Sequence, residues 1–152
     1  MSKVKASPAV RFGIPGLLCV AFLAGCSDSE GLGRVTGVVT LDGKPLSEAN
    51  VEFVPSAGGR PSTAVTDSEG RYELLYTMTE KGAAIGEHKV IVSTLHESDG
   101  KLLRAEQVPM KYNLESTLTK MIASGGQTVD LQLDSKGKIY SPQKKRSARK
   151  RG

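Results

Sequence analysis

Short stretches of alternating apolar and polar residues recur along the chain from Arg34 onward, separated by clusters of glycine, proline and aspartate. Alternation with a period of two is typical of strands that bury one face, and no segment here has the sustained 3.6-residue period of a helix. The pattern predicts seven short strands, at 34–41, 49–54, 63–66, 71–76, 87–94, 118–122 and 127–134. Such a chain favours an all-β fold, a single Greek-key β-sandwich, over a barrel.

The apolar positions of these strands define a predicted core. Its members share the inward parity of their strands: Val35, Val39, Val51, Phe53, Tyr72, Leu74, Val90, Val92, Val129, Leu131 and Leu133. Asp42-Gly43-Lys44-Pro45 and Asp67-Ser68-Glu69-Gly70 are turn signals, and the second predicts a hairpin between the strands on either side. We expect three segments to be loops that share one end of the sandwich and carry any binding: 55–62, 77–86 and 95–110.

The first 25 residues follow another pattern. Lys3, Lys5 and Arg11 precede an uncharged, mostly apolar run of 13 residues, 12–24, which ends in small residues. A basic head, an apolar middle and a small-residue cleavage site predict a secretory signal peptide. The alternative is an uncleaved membrane anchor, but the run is shorter than the roughly 20 residues that a spanning helix needs.

Leu23-Ala24-Gly25-Cys26 resembles the lipobox of bacterial lipoproteins. The resemblance implies a diacylglycerol on the Cys26 thiol, cleavage before Cys26 and acylation of the new amino group by a fatty acid such as palmitate. Membrane lipid is therefore an expected partner. In double-membrane bacteria an Asp directly after the lipidated cysteine favours the inner membrane, and Ser27 stands there instead, so the outer membrane is favoured.

Four segments follow: a signal peptide at 1–25, a lipidated tether at 26–33, a β-sandwich at 34–135 and a basic tail at 136–152. Once Cys26 carries lipid, the mature chain has no thiol left for a disulfide, and the fold depends on its apolar core. Residues 26–135 contain 10 Lys/Arg and 16 Asp/Glu, a net charge of −6, whereas the tail has 8 Lys/Arg and no acidic residue, +8. This asymmetry concerns partners rather than fold.

Three motifs carry a second resemblance: Gly37-Val38-Val39-Thr40-Leu41-Asp42-Gly43-Lys44-Pro45-Leu46, Ala49-Asn50-Val51-Glu52-Phe53 and Thr66-Asp67-Ser68-Glu69-Gly70-Arg71-Tyr72-Glu73-Leu74. They resemble the carboxypeptidase regulatory-like domains, over about residues 34–133. The resemblance implies a transthyretin-like sandwich. In the carboxypeptidases this domain is an accessory beside a metal-bearing catalytic domain, and this chain has no counterpart of that domain.

No motif nominates a catalytic, metal or cofactor site. His88 shares the parity of the core and His96 lies in a polar segment, without the ligand spacing of a zinc site. Asp67, Glu69 and Asp99 lack the pattern of a calcium loop and are interpreted as turn residues. Neither a Gly-x-Ser-x-Gly motif nor a phosphate loop occurs.

The basic tail is a candidate contact for polyanions. Its charged residues from 144 onward are Lys144, Lys145, Arg146, Arg149, Lys150 and Arg151. The plainer interpretation is a disordered, solvated end. Nucleic acid is not an expected partner, since the protein is exported and the tail has no stacking aromatic residue.

The sequence therefore predicts a non-enzymatic, lipid-anchored envelope module for binding or scaffolding, without a cofactor, whose partner is an envelope protein or an anionic glycan. The alternatives are a small envelope hydrolase and a tether to anionic polymers through the tail.

Overall fold

Two β-sheets packed face to face, with a separate two-stranded hairpin at one end, make up the part of the chain that the computed structural model describes, residues 31–142. The strands are β1 (Leu32–Leu41), β2 (Lys44–Pro45), β3 (Asn50–Pro55), β4 (Ser62–Val65), β5 (Arg71–Glu73), β6 (Ala83–Ala84), β7 (Gly86–Ser93), β8 (His96–Ser98), β9 (Lys101–Arg104), β10 (Thr119–Ile122), β11 (Gly125–Thr128) and β12 (Leu131–Leu133). One 3-10 helix spans Met110–Tyr112. The predicted all-β sandwich is confirmed.

The first sheet is built around β1. This strand pairs in parallel with β11 and then β12 along one side, and antiparallel with β2, β5 and β6 along the other. Gly37 lies inward between Val35 and Val39, where an added Cβ would come within 2.0 Å of the Val129 carbonyl oxygen. The missing side chain leaves room for Tyr72, whose hydroxyl donates to that same oxygen at 2.6 Å.

The second sheet has the order β10-β7-β3-β4, with every neighbouring pair antiparallel. Its alternating pattern turns Val51, Phe53, Val90 and Val92 inward, and all four are fully buried. The Phe53 ring packs across the sandwich against Tyr72, with 6.4 Å between ring centroids. The sheets therefore meet through side chains of the parity that the sequence predicts.

All eleven predicted core residues are buried. The core also contains five apolar residues that the alternation did not mark: Leu46, Ala49, Ala83, Val108 and Ile122. These residues lie in loops, in two-residue strands or at the ends of strands, where too few neighbours exist to establish a period.

Three predicted elements differ from the structure. β1 begins at Leu32, so the last residues of the predicted tether belong to the first strand. The last strand is divided into β11 and β12, because the Asp130 carboxylate accepts the Val38 N–H in place of a backbone carbonyl. The segment after Thr94 was expected to be an irregular connection, but it contains the β8–β9 hairpin.

The turn at 67–70 forms, but its flanking strands diverge. β4 pairs with β3 in the second sheet, whereas β5 pairs with β1 in the first. A single bridge between Thr63 and Leu75 links the two strands. The expected hairpin is therefore a crossing between the two sheets. β4 pairs with β3 and β5 pairs with β1, and each of these partners is longer than β4 or β5.

The sandwich has two ends, named here by β1. The N-terminal end lies where β1 begins, with segments 56–61, 75–86 and 123–124. The distal end lies where β1 stops, with the turn 66–70 and the segment from Thr94 to the 3-10 helix. The three segments 55–62, 77–86 and 95–110 therefore do not share an end as expected, because β7 runs the length of the sandwich between the second and the third.

Candidate functional site

A buried carboxylate fixes the segment that leaves β7 at the distal end. Glu106 is 8% exposed and its two oxygens accept five hydrogen bonds, so this buried acceptor is satisfied within the protein. The Oε1 atom accepts the backbone N–H groups of Thr94, Gln107 and Val108, at 2.9 to 3.0 Å, and the Thr94 hydroxyl at 3.0 Å. The Oε2 atom accepts the Ser93 hydroxyl.

The surroundings of Glu106 favour its charged form. Burial alone raises the pKa of the carboxyl group, but the hydrogen bonds from Ser93, Thr94 and Val108 outweigh it, so the pKa lies below the ordinary value. A carboxylate so fully bonded is a structural brace, since its lone pairs are already committed to groups of the protein. The sequence reasoning did not find Glu106, because a single acidic residue in a polar segment has no spacing signature.

A second acidic residue joins the 3-10 helix to the last strand. Asp134 accepts the Lys111 ammonium at 2.6 Å and the Tyr112 hydroxyl at 2.8 Å. These two bonds lower the pKa of Asp134 to about 2, and the same contact with Asp134 raises the pKa of Lys111. The end of β12 is thus tied to the segment that follows the distal hairpin.

The β8–β9 hairpin extends from this braced base. Leu102 and Leu103 on β9 are 46% and 54% exposed, and His96 on β8 is exposed as well. Arg104, at the end of β9, fixes the hairpin to the sandwich. Its guanidinium group pairs with the Glu48 carboxylate and donates a hydrogen bond of 3.1 Å to the Glu48 carbonyl oxygen. The hairpin therefore presents adjacent leucines on a base held by ionic and buried hydrogen bonds.

A groove of about 350 Å³ runs beside the same base, along the outer face of β7. Its wall is mostly apolar, with the Ser93 and Glu106 pair on one side and Lys89 on the other: Lys89, Ile91, Ser93, Leu95, Glu106, Asn113, Leu114 and Tyr140 line it. Ser93 donates to Glu106 and accepts the Leu95 N–H, so its hydroxyl is occupied on both sides. The groove offers apolar contact rather than a free nucleophile.

A broader concavity of about 440 Å³ lies on the outer face of the first sheet. Its charged groups already serve the fold. Glu73 pairs with Arg34 and Lys81, and Asp130 accepts the Val38 N–H. These carboxylates are consequently engaged within the domain.

His88 lies inside the sandwich, 1% exposed, in agreement with its predicted core parity. Its Nδ1 lies 3.1 Å from the Gly86 carbonyl oxygen, and its ring packs against Phe53 at 6.1 Å between centroids. Within residues 31–142 the Nε2 atom has no hydrogen-bond partner. The ring is therefore not oriented by a carboxylate, as the histidine of a catalytic triad would be.

The remaining acidic candidates are turn residues: Asp67 and Glu69 share one turn, and Asp99 lies in another. Asp67 accepts the N–H groups of Glu69 and Arg71 and so shapes the turn at 66–70. Glu69 pairs with Arg71, and Asp99 lies at the tip of the β8–β9 hairpin with a φ of 52°. Over residues 31–142 no group of three or more His, Cys, Asp or Glu side chains converges as metal ligands would.

The predicted lipidation site Cys26 and the predicted polyanion contacts lie outside the residues that the structure describes. The latter are Lys144, Lys145, Arg146, Arg149, Lys150 and Arg151. The described part of the chain contains no helix long and apolar enough to cross a membrane.

Comparison with known proteins gives distant likenesses of fold. No family model matches the chain, and no curated protein matches it either. Among solved structures, a DUF3823 family protein from Parabacteroides merdae aligns over 66% of this chain and 45% of its own, at 16% identity and a TM-score of 0.36. A 9R-lipoxygenase from Cyanothece aligns over 75% of this chain and 18% of its own, at 24% identity and a TM-score of 0.33. The chain thus spans less than half the length of either protein.

Proposed function

We propose that this protein is a non-enzymatic envelope module, held to a membrane by lipid on Cys26, that binds a partner through its distal end. The observation that carries the proposal is the placement of two features at opposite ends of one rigid sandwich. β1 begins at Leu32, only six residues after the lipobox cysteine, and the exposed β8–β9 hairpin lies where β1 stops. A chain tethered at Cys26 directs that hairpin away from the membrane.

The distal end has the properties of a recognition surface. Binding residues are often found on loops that a rigid scaffold positions, and Glu106 and Arg104 supply that rigidity at the base of the hairpin. The exposed Leu102 and Leu103 suit an apolar contact with another envelope protein, which we favour over an anionic glycan because exposed apolar side chains are typical of protein–protein contacts.

The carboxypeptidase regulatory-like resemblance and the outer-membrane location belong to the same proposal. The first rests on the motifs at 37–46, 49–53 and 66–74, and the second on Ser27. The hydrolase alternative gains no support from the buried, carboxylate-free surroundings of His88. Deletion of residues 142–152 tests the polyanion tether: unchanged retention on isolated envelope material would exclude that role for the tail.

Photocrosslinking in intact cells tests the binding proposal. A photoreactive amino acid at Leu103 is expected to capture a discrete protein, whereas the same group at the exposed Thr119, on the edge strand β10 beside the middle of β7, serves as the matched control. Capture at both positions alike, or at Thr119 alone, would contradict recognition through the distal end. In parallel, Cys26→Ala is expected to release the exported protein from the membrane fraction, and full retention would refute the lipid anchor.

A further inference from the structure

The groove along the outer face of β7 is elongated and mostly apolar. Every second residue of the strand forms its floor, Lys89, Ile91 and Ser93, and Leu95 continues the same line. A strand rises about 3.3 Å per residue, so the floor from Lys89 to Ser93 alone is about 13 Å long. The volume of about 350 Å³ is small for a ligand site of that length. The shape therefore suits a single linear chain rather than a broad, compact ligand.

The walls of the groove are held in place by hydrogen bonds. Leu114 and Tyr140 line it from two different segments. The Asn113 side chain fixes the first segment, because its amide donates to a backbone carbonyl oxygen at 3.1 Å and its oxygen accepts the Leu114 N–H at 2.7 Å. The Met110 N–H fixes the second by donating to the Lys138 carbonyl oxygen at 2.7 Å. The groove is therefore formed before a ligand arrives, which lowers the cost of binding.

The polar groups of the groove differ in how far the protein already uses them. The Glu106 carboxylate accepts five hydrogen bonds, and the Ser93 hydroxyl is bonded on both sides. Lys89 is exposed, and within residues 31–142 its ammonium group forms no ion pair. It also lies about 13 Å along the strand from Ser93, which contacts Glu106. A cation at one end of an apolar groove complements a ligand with one anionic terminal group.

The backbone of β7 offers little to a guest peptide. β3 pairs with β7 over six consecutive residues on one side. On the other side the Val90 carbonyl oxygen accepts the Ser116 hydroxyl, and the Thr94 N–H donates to Glu106. A peptide in the groove would leave its own N–H and C=O groups unpaired against apolar side chains, which costs free energy. A hydrocarbon chain has no such groups, so the groove favours it.

We propose that this groove binds a free single-chain fatty acid, with the carboxylate at the Lys89 ammonium group and the hydrocarbon chain along Ile91, Leu95 and Leu114. Burial of the chain supplies the free energy of binding, and Lys89 selects the charge of the head group. The ligand is distinct from the acyl chains expected on Cys26. The inference goes beyond the proposed protein partner and holds whether or not Cys26 carries lipid.

Photolabelling with a fatty acid of defined length tests the site. The full chain in phosphatidylcholine vesicles is irradiated with dodecanoate that carries a diazirine in the middle of its chain, and the adducts are located by peptide mass spectrometry. Unlabelled dodecanoate, dodecanol and butanoate serve as competitors. Lys89→Glu tests the head group, with Lys44→Glu, an exposed lysine of the other sheet, as its matched control. Leu114→Glu tests the apolar wall at a position that is 65% exposed.

The expected result is labelling of segments 89–95, 113–114 and 138–142 that dodecanoate removes, whereas dodecanol and butanoate at the same concentration leave it. Lys89→Glu should reduce the labelling about fivefold or more, since an exposed ion pair contributes up to that factor, and Leu114→Glu should reduce it as well. Lys44→Glu should leave it unchanged. Adducts elsewhere or none at all, equal competition by dodecanol, or full labelling of Lys89→Glu would overturn the proposal. Each of these outcomes leaves the lipid anchor and the distal hairpin as separate questions.

Discussion

The two ends of the sandwich differ in how side chains hold the connecting segments in place. At the distal end, buried or bonded carboxylates gather backbone N–H groups, and Glu106 alone accepts three of them. At the N-terminal end the corresponding polar brace is the Gln127 side chain, which accepts the Ala123 N–H and donates to the Met121 carbonyl oxygen near the surface. The Glu106 carboxylate is buried, whereas Gln127 is half-buried and its hydrogen bonds are exposed, so the two ends differ in how easily water can replace the brace.

The largest loss of stability is expected when the Glu106 brace at the distal end is removed. Glu106→Ala leaves the buried N–H groups of Thr94 and Val108 without an acceptor, and we expect a loss of roughly 3 kcal/mol in the free energy of unfolding. Hydrogen exchange should accelerate through the β8–β9 hairpin and leave β10 unchanged. Glu97→Ala, an exposed glutamate of the same hairpin, is the matched control and should cost little. Equal acceleration at both ends would mean that Glu106 does not act locally.

Acid should loosen the same end first. Three carboxyl groups with a lowered pKa, Asp42, Glu106 and Asp134, lie at the distal end. Each stabilises the fold above its unfolded pKa, 4.5 for the glutamate and 3.8 for the aspartates, and that contribution is lost as pH falls through the lower folded pKa, which is about 2 for Asp134. Hydrogen exchange measured between pH 5 and pH 2 should show distal amides losing protection first. In Glu106→Gln, which has no carboxyl group to titrate at this position, the protection of the distal amides should depend less on pH.

The corresponding substitution at the N-terminal end, in the Gln127 side chain, is expected to destabilise the fold less. Gln127→Ala removes one hydrogen bond to Met121 on the edge strand β10 and one to Ala123 directly after it, but water can replace both, so we expect a loss of about 1 kcal/mol. Urea titration of this variant beside Glu106→Ala gives the difference directly. A cost as large as that of Glu106→Ala would contradict the contrast between a buried and an exposed brace.

The smallest effect on stability is expected in the exposed turn that contains Met78. Met78→Ser alters a side chain that is 96% exposed, and the free energy of unfolding in solution should change by less than about 0.5 kcal/mol. A substantial loss of stability would contradict the exposed position of Met78 and show that its side chain packs against the fold.

The sequence predicted the body of the fold because its strands alternate cleanly. The parity of Val51 with Phe53, and of Val90 with Val92, was sufficient to identify the two inner faces of the sandwich. It could not show that β4 and β5 enter different sheets, since the turn at Asp67 permits both a hairpin and a crossing. That choice depends on the longer pairing partners that β3 and β1 offer.

The distal brace could not be predicted for a different reason. Glu106 and Thr94 are twelve residues apart, and only the β8–β9 hairpin brings them into contact. Likewise, the placement of 55–62 and 95–110 at opposite ends depends on the direction of β3 and β7. Local patterns determine which residues are buried, whereas the meeting of loops is determined by topology.

Whether the N-terminal end is the membrane end can be read from the mass of the mature protein extracted from bacterial membranes. We expect a chain that begins at Cys26 and carries a thioether-linked diacylglycerol and an amide-linked fatty acid. A mature chain that retains residues 1–25, or that has an unmodified Cys26, would contradict it.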